Sequence, residues 1–397
     1  MNKLLKHIGG DKTLWAMLAL LALFSFLPVY SASSNLANLY GRNTFSLLMK
    51  HGVHLVMGFA IIFAVHKIDY NKFKGLSWIM MFIVTILLVF TMAQGTTIGG
   101  ANASRWLRVP GVGVSFQTST LAAVVLMVYV ARYLAKFKDK AIVFKESFVE
   151  LWIPVGLILI LIFPANLSTA ALMFSMVMVL VFLGGYPFKY IGIIIGAGAL
   201  VVMLFFLSAK AFPEAFPNRV DTWISRVENF SNGEDTEEDY QIERAKTAIA
   251  SGQLFGLGPG KSVQKNFLPQ SSSDFIYAII VEEWGLVSGV AIVLFYLIVL
   301  YRLVIILNKS ETVFGKLLVA GVGLPIIFQA LINMGVAVEL FPVTGQTLPL
   351  ISSGGTSIWM TCLAFGIILS VSSAQKNVKK KKSTEKDNPL DVLTQGI

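Results

Sequence analysis

Charge is scarce in this 397-residue chain: Asp, Glu, Lys and Arg make up 14% of it, against about 25% in an ordinary soluble domain. With 55% hydrophobic residues there is too little polar material to coat a soluble globule of this size. Cysteine is nearly absent. The single copy, Cys362, excludes a disulfide within the chain and reads as a small buried apolar residue. The four histidines show no metal-ligand spacing, because His51 and His54 fall near one end of an apolar run and His66 near the other. A phosphate loop is missing too. Gly252-Gln-Leu-Phe-Gly-Leu-Gly-Pro-Gly-Lys261 lacks the spacing and no strand precedes it. It reads as a tight turn whose exposed backbone N–H groups could meet a lipid diphosphate. Nor is there an inverted internal repeat of the kind that builds many transporters.

What is abundant is apolar length. Runs at roughly 14–32, 51–66, 76–93, 119–135, 151–163, 167–184, 188–212, 275–300, 315–334 and 356–373 each come near the ~20 residues that cross hydrocarbon. The expectation is an all-α integral membrane protein with ten transmembrane helices. The fifth and sixth runs are separated only by Pro164-Ala-Asn166, so one kinked segment and nine spans is the competing count. Charge separates the two. With an even count, 21 of the 32 Lys and Arg residues fall on the side of both termini, and the short opposite loops keep only Arg42, Lys50, Arg105 and Arg108. Ten spans with both ends cytoplasmic fits best. Lys3, Lys6 and Lys12 before an apolar run ending in Val29-Tyr-Ser-Ala-Ser33 imitate a signal peptide, but the run is long and further spans follow, so it is expected to stay as the first helix. Trp15, Trp78, Trp152 and Trp284 are expected in interfacial belts.

The organisation is then a membrane domain over 1–375 and a basic cytoplasmic tail over 376–397, without order of its own. The net charge of +10 reflects cytoplasmic loops and the Lys379–Lys382 run, which suits a membrane surface better than nucleic acid. One loop is far longer than the rest, about 213–273, on the outer face between the seventh and eighth helices. Asn229–Asp239 within it is acidic and solvated; Tyr240–Ser251 reads as an amphipathic helix with Ile242, Ala245, Ala248 and Ile249 on one face. Prolines and glycines interrupt hydrophobic sequence again over Asn333–Ser357, and such broken backbone survives at membrane depth only where protein or a wet cavity satisfies it. These outer segments are expected to roof one cavity.

The most telling residue is Asp274, an acid where the long loop runs into an apolar helix. From residue type alone, a helix cap in Ser271-Ser-Ser-Asp-Phe-Ile is the simpler role, and a general base the other. Glu282 and Glu283 follow two turns later, and Glu339 closes the ninth helix; acids in such places are costly and often functional. Glu283 is expected to face the cavity and pair a basic group.

Three blocks carry a resemblance: Ala103-Ser-Arg105-Trp106; Gln264-Lys265-Asn-Phe-Leu-Pro-Gln-Ser-Ser-Ser-Asp274-Phe-Ile-Tyr-Ala-Ile-Ile-Val-Glu282-Glu283; and Pro342-Val-Thr-Gly-Gln-Thr-Leu-Pro-Leu-Ile-Ser-Ser353-Gly354-Gly355. In order and over nearly the whole chain, they resemble the SEDS family of shape, elongation, division and sporulation proteins, with the approach Gly260-Lys-Ser-Val-Gln-Lys265 more like its division branch. The resemblance implies a ten-helix peptidoglycan glycosyltransferase of the bacterial inner membrane, working at the septum. It would polymerise lipid II, the undecaprenyl-diphosphate disaccharide-pentapeptide, onto a nascent glycan beside a class B penicillin-binding protein and other division proteins. It makes Asp274 the inverting general base and Arg105, Trp106, Lys261, Gln264, Lys265, Glu283, Ser353, Gly354 and Gly355 substrate-binding, with Arg108 a further cation for the diphosphate. Magnesium or manganese could bridge diphosphate oxygens, although the sequence shows no ligand set for either. The chain departs from the family at Thr120, Ala123, Asn166 and Gln270, where relatives often carry Glu, Lys, Asp and Glu. Two other functions compete with the enzyme: a lipid II flippase, favoured by ten helices and buried acids, and a non-catalytic scaffold that recruits the penicillin-binding protein.

Overall fold

The computed structural model describes residues 9–39, 43–94, 97–98, 101–102, 106–108, 115–137, 142–211 and 237–386, and the fold is given over these. In chain order they form α1 (Lys12–Leu39), α2 (Thr44–Val65) and α3 (Lys72–Gln94). Two antiparallel ribbons follow, β1 (Thr97–Ile98) with β2 (Ala101–Asn102) and β3 (Trp106–Arg108) with β4 (Ser115–Gln117). Then come α4 (Thr118–Lys136), α5 (Ile153–Ile162), α6 (Leu167–Leu183), α7 (Phe188–Ala211), α8 (Glu237–Gly252), α9 (Ile276–Lys309), α10 (Val313–Ala337) and α11 (Thr356–Lys386). Among the described residues, eight helices are long and apolar enough to cross a membrane, namely α1–α4, α7 and α9–α11. The protein is an all-α membrane protein. α11 runs past residue 376 to Lys386; Asn229–Thr236 and residues 387–397 lie outside the described residues.

The fifth and sixth apolar runs are two helices, not one kinked one. A helical turn, Phe144–Ser147, and a π-turn, Phe148–Trp152, lead into α5, which ends before Pro164; Asn166 then caps α6 by accepting from the Thr169 N–H at 3.2 Å. The start of the first segment meets the end of the second, because the Tyr186 hydroxyl lies 2.6 Å from Ser147 Oγ and accepts from Trp152 Nε1 at 2.9 Å. α7 closes the set, with Tyr190 stacked on Phe144 at its start and Phe205 against Phe163 near its end. α5 and α7 therefore run parallel, and α6 returns between them. Trp152 is consequently buried rather than interfacial, whereas Trp78 is exposed as a belt residue should be.

α10 is the central post, packed against α4, α6, α9 and α11, while α7 stands at the periphery with its apolar side chains outward. α2 lies close along α11 because Gly58 leaves room for Cys362: a Cβ there would sit 2.6 Å from its sulfur. At the other end of the bundle Asp11 caps α1 through the Leu14 N–H at 2.9 Å and pairs with Arg302 of α9.

α8 forms where expected, with Ile242, Ala245 and Ala248 buried against the bundle. Its C-terminal glycine loop does something the sequence did not suggest. α9 is broken at Gly285 (φ 77°, ψ 177°), and the loop docks backbone to backbone on the break. Leu257 N and Gly258 N donate to the Glu282 and Glu283 carbonyls at 2.9 Å each, and Leu286 N donates back to the Gln253 carbonyl at 2.8 Å. The loop N–H groups at 257 and 258 are thus engaged inside the protein and are not presented to a diphosphate. No side chain fits at the junction, since a Cβ on Gly256 (φ 82°) would run into the Glu283 carbonyl and one on Gly285 into the Leu254 carbonyl. The expected outcome for Gly256→Ala is a loss of at least about 2 kcal/mol, read as a lower melting temperature in detergent. Gly156→Ala, at a helical position with open space around it, should lose nothing.

Candidate functional site

Two irregular stretches, 264–275 and 342–355, build the site, and each satisfies the other's backbone. Ser353 N donates to the Ser272 carbonyl at 2.9 Å, and Ser352 Oγ donates to the Ser273 carbonyl at 2.6 Å. The buried Asn333 of α10 holds both stretches at once: its Nδ2 donates to the Asp274 and Gln346 carbonyls, each at 2.7 Å. Farther along, Gln329 Nε2 donates to the Thr347 carbonyl at 2.8 Å, and Tyr296 donates to the Pro349 carbonyl. Asp274 does not occupy the cap position of α9. That position is Phe275, without a side-chain cap bond. The Asp274 carboxylate is half-buried and turned toward Gly345 (φ 66°), where a Cβ would stand 3.5 Å from Oδ2.

Asp274 opens onto a cavity of about 600 Å³ enclosed by α2, the start of α4, α6, α10, the 345–355 stretch and the start of α11. That size suits a small-molecule site. Its rim is polar, with Trp106, Gln117, Gln270, Gln329, Gln346 and Ser353–Ser357, and its floor is apolar, with Leu172, Met173, Met176, Val322 and Ile326. Pro325 of α10 lacks the N–H that would satisfy the Gly321 carbonyl, and both residues face the cavity. The first turn of α11 lies in the wall, bringing the positive end of a helix dipole to the same space. Lys50, His51 and His54 of α2 line it as well. His51 Nε2 lies 2.8 Å from Ser25 Oγ, and His54 Nδ1 is buried with no hydrogen-bond partner among the described residues.

Of the residues singled out in the sequence, the cavity brings together Asp274, Trp106, Ser353, Gly354 and Gly355. Arg105 lies outside the described residues, and only the backbone of Arg108, on β3, is described. Lys261, Gln264, Lys265 and Glu283 do not line the cavity; they belong to a separate polar knot beneath the glycine loop. Glu282 accepts from Ser262 Oγ, from Val263 N at 2.9 Å and from Gln264 N at 3.2 Å. Glu283, fully buried, accepts from Ser31 Oγ of α1 and from Ser262 N at 3.3 Å. Lys265 Nζ donates to Ser31 Oγ at 3.1 Å and to the Gly260 carbonyl at 2.8 Å. Glu283 therefore does not face the cavity as expected, because its carboxylate is turned toward α1 and the loop. Glu339 pairs with Lys246 of α8 at 2.6 Å, and this contact raises the Lys246 pKa above its ordinary value.

Lys50, His51, His54, Gln329 and Asn333 were missed. The signal for the first three was their spacing on one helix face beside an outer loop; weighing His51 and His54 only together with His66 hid the usable pair. Gln329 and Asn333 were visible as polar residues four apart inside an apolar run. The four departures from the family pattern, Thr120, Ala123, Asn166 and Gln270, all line this one cavity.

A family profile described as "Cell cycle protein", for FtsW, RodA and SpoVE, matches residues 11–377. The chain is 31% identical over 370 residues to a probable peptidoglycan glycosyltransferase FtsW of Geobacter sulfurreducens, covering 92% of this chain and 96% of that one. It is 30% identical over 397 residues to the protein of the same name in Alcanivorax borkumensis, covering 94% and 96%. In fold it is similar to a chain from a structure on the coordination of polymerization and crosslinking by a peptidoglycan synthase complex (TM-score 0.72, 24% identity, 92% and 98% covered). It is also similar to the rod shape determining protein RodA of Thermus thermophilus (TM-score 0.66, 24% identity, 92% and 97% covered).

The double anchorage on Asn333 makes a sharp prediction. Asn333→Ala leaves two partly buried carbonyls without a donor and should cost about 2 kcal/mol; Asn333→Asp, which keeps the shape but not the N–H groups, should cost at least as much. Limited proteolysis should then cut within 342–355 faster in both variants than in the wild type.

Proposed function

The chain belongs to the FtsW/RodA/SpoVE family of cell cycle proteins, and from that membership we propose that it is a peptidoglycan glycosyltransferase polymerising lipid II at the outer face of the cytoplasmic membrane during division. The observation that carries this reading is the Asp274 carboxylate opening onto a cavity with a polar rim and an apolar floor. Rim and floor suit a substrate with sugars and a diphosphate at one end and a prenyl chain at the other. The relatives' shared name supports the activity and the division role. The likeness to a chain of a peptidoglycan synthase complex supports a class B penicillin-binding protein as membrane partner. Both termini are proposed to be cytoplasmic, in keeping with the distribution of Lys and Arg.

In this mechanism Asp274 takes the proton from the acceptor sugar hydroxyl as that oxygen bonds to the donor's anomeric carbon. The bond from that carbon to the diphosphate breaks in the same step, and undecaprenyl diphosphate leaves with the electron pair. A single displacement inverts the α-linked donor to a β-linked glycan and needs no covalent glycosyl-enzyme. The Asp274 main chain is fixed by Asn333, so the base is held by a tertiary contact and not by its own helix. Lys50 and His54, with the first turn of α11, supply positive charge and N–H groups for the departing diphosphate. Lys265 serves the loop that holds α9 in place, and Lys261 stands outside the cavity. Among the described residues no three His, Cys, Asp or Glu side chains gather as a metal-ligand set, and every step here uses protein groups.

Reconstitution with lipid II and a transpeptidase-inactive class B partner tests this directly. Polymer is expected from the wild type, with Asp274→Asn at least about 100-fold slower. Undiminished polymer from that variant would remove Asp274 as the base; no polymer from the wild type, with or without partner, would remove the glycosyltransferase and favour flipping or scaffolding. Lys50→Ala should lower kcat/KM about tenfold or more, as loss of a hydrogen bond to a charged group does, whereas Lys261→Ala should leave it unchanged.

A further inference from the structure

A second recess, of about 570 Å³, lies at the opposite end of α4 from the catalytic cavity. Thr120 faces the cavity and Arg132 the recess, which puts the two about 18 Å apart along the helix. It is lined by Lys74 and Trp78 from the first turns of α3, by Tyr129, Arg132, Tyr133, Ala135 and Lys136 from the last turns of α4, and by Glu150 from the π-turn before α5. Among the described residues, three cations thus meet one carboxylate. That carboxylate is tied to Lys136 at 2.9 Å, and the backbone of the same residue accepts from the Tyr129 hydroxyl. Arg132 is left over. Its Nη1 is buried and has no hydrogen-bond partner among the described residues. A guanidinium nitrogen shut away from water without an acceptor is costly, and the inexpensive remedy is an anion with several oxygens. Lys74, half-buried with its ammonium 5.0 Å from the Phe314 ring, can contribute to the same anion.

The surroundings say what kind of anion. Beside the recess α3 turns an apolar stripe outward, Trp78, Phe82 and Ile86 at steps of four residues, each more than half exposed. In a membrane protein such a stripe meets acyl chains, and Trp78 at its end stands at headgroup level. We propose that this recess binds the phosphate of an anionic phospholipid, with Arg132 as its principal ligand, Lys74 and Lys136 beside it, and the acyl chains lying along the exposed face of α3. The face is the one richer in Lys and Arg, where anionic headgroups are concentrated in the inner leaflet. Nothing in the glycosyl transfer uses these residues, so the site stands or falls separately from the catalytic reading.

The test is native mass spectrometry of the full chain in detergent, titrated with phosphatidylglycerol or with phosphatidylcholine of the same acyl chains. The wild type is expected to retain phosphatidylglycerol preferentially. Arg132→Gln should retain about tenfold less or lower still, and Lys309→Gln, an exposed lysine on the same face outside the recess, should match the wild type. Equal retention of the two lipids by the wild type, or equal phosphatidylglycerol retention by wild type and Arg132→Gln, would overturn the proposal. So would heat protection by inorganic phosphate alone equal to that given by phosphatidylglycerol, because the site would then take a free anion. Should Arg132→Gln fail to fold, Lys74→Gln is judged by the same criteria, with a smaller loss expected.

Discussion

A helix cannot be broken inside an apolar bundle unless the backbone groups it strands are paired, because neither lipid nor core side chains can do so. The break at Gly285 meets that demand with another stretch of backbone, residues 253–258, which donate to the Glu282 and Glu283 carbonyls and accept from Leu286. The approach to Asp274 along α9 depends on this junction, while its own main chain is held by Asn333. It sets the first half of α9 against the loop from α8, and it brings the side chains of Glu282 and Glu283 under the turn at 262–265, where they accept its N–H groups. Two carboxylates whose cost pointed to a function are thereby the anchors of the loop that delivers the acid.

The same constraint shapes the other half of the site. The stretch 342–355 carries proline and glycine through hydrophobic sequence and pairs with itself only in the turn at Leu348–Ser352. It pairs with Ser272 and Ser273 on one side and with Gln329 and Asn333 of α10 on the other. Because α10 is the central post, the carboxylate and the cavity rim are referred to one rigid helix, which favours a catalytic group held in place before substrate arrives. The first turn of α11 follows from this stretch and completes the wall.

Much of this was legible from residues. Apolar runs located the long helices, although α2 begins well before its run and α9 and α11 extend well past theirs, and the period of Ile242, Ala245 and Ala248 marked the buried face of α8. Asp274 and Ser353–Gly355, singled out because their types and order match a family, line one cavity. The helix pair α5–α6 was ambiguous, as three residues between two apolar runs serve equally for a kink or a turn; the contacts of Tyr186 and Phe163 decided it. Glu283 was expected to face the cavity and Lys265 to bind substrate from its place in a matched block, and neither charge nor sequence order says where a side chain points. A buried carboxylate takes the donors within its reach, and these proved to be Ser31 and the Ser262 N–H.

The sequence by itself determined that this is a many-helix membrane protein of one family, with an aspartate at the mouth of a helix as its leading chemical group, because hydropathy, length and residue order are properties of the chain read in line. Only the tertiary structure decided which polar residues share a space. Lys50 and His54 from α2, Asn166 and Thr169 from α6 and Gln329 from α10 converge with Asp274 across hundreds of residues, while Lys265, nine positions away from it, is turned elsewhere. The physical reason is that which segments meet, and which groups satisfy broken backbone, are fixed by packing between distant parts of the chain, and linear spacing encodes neither.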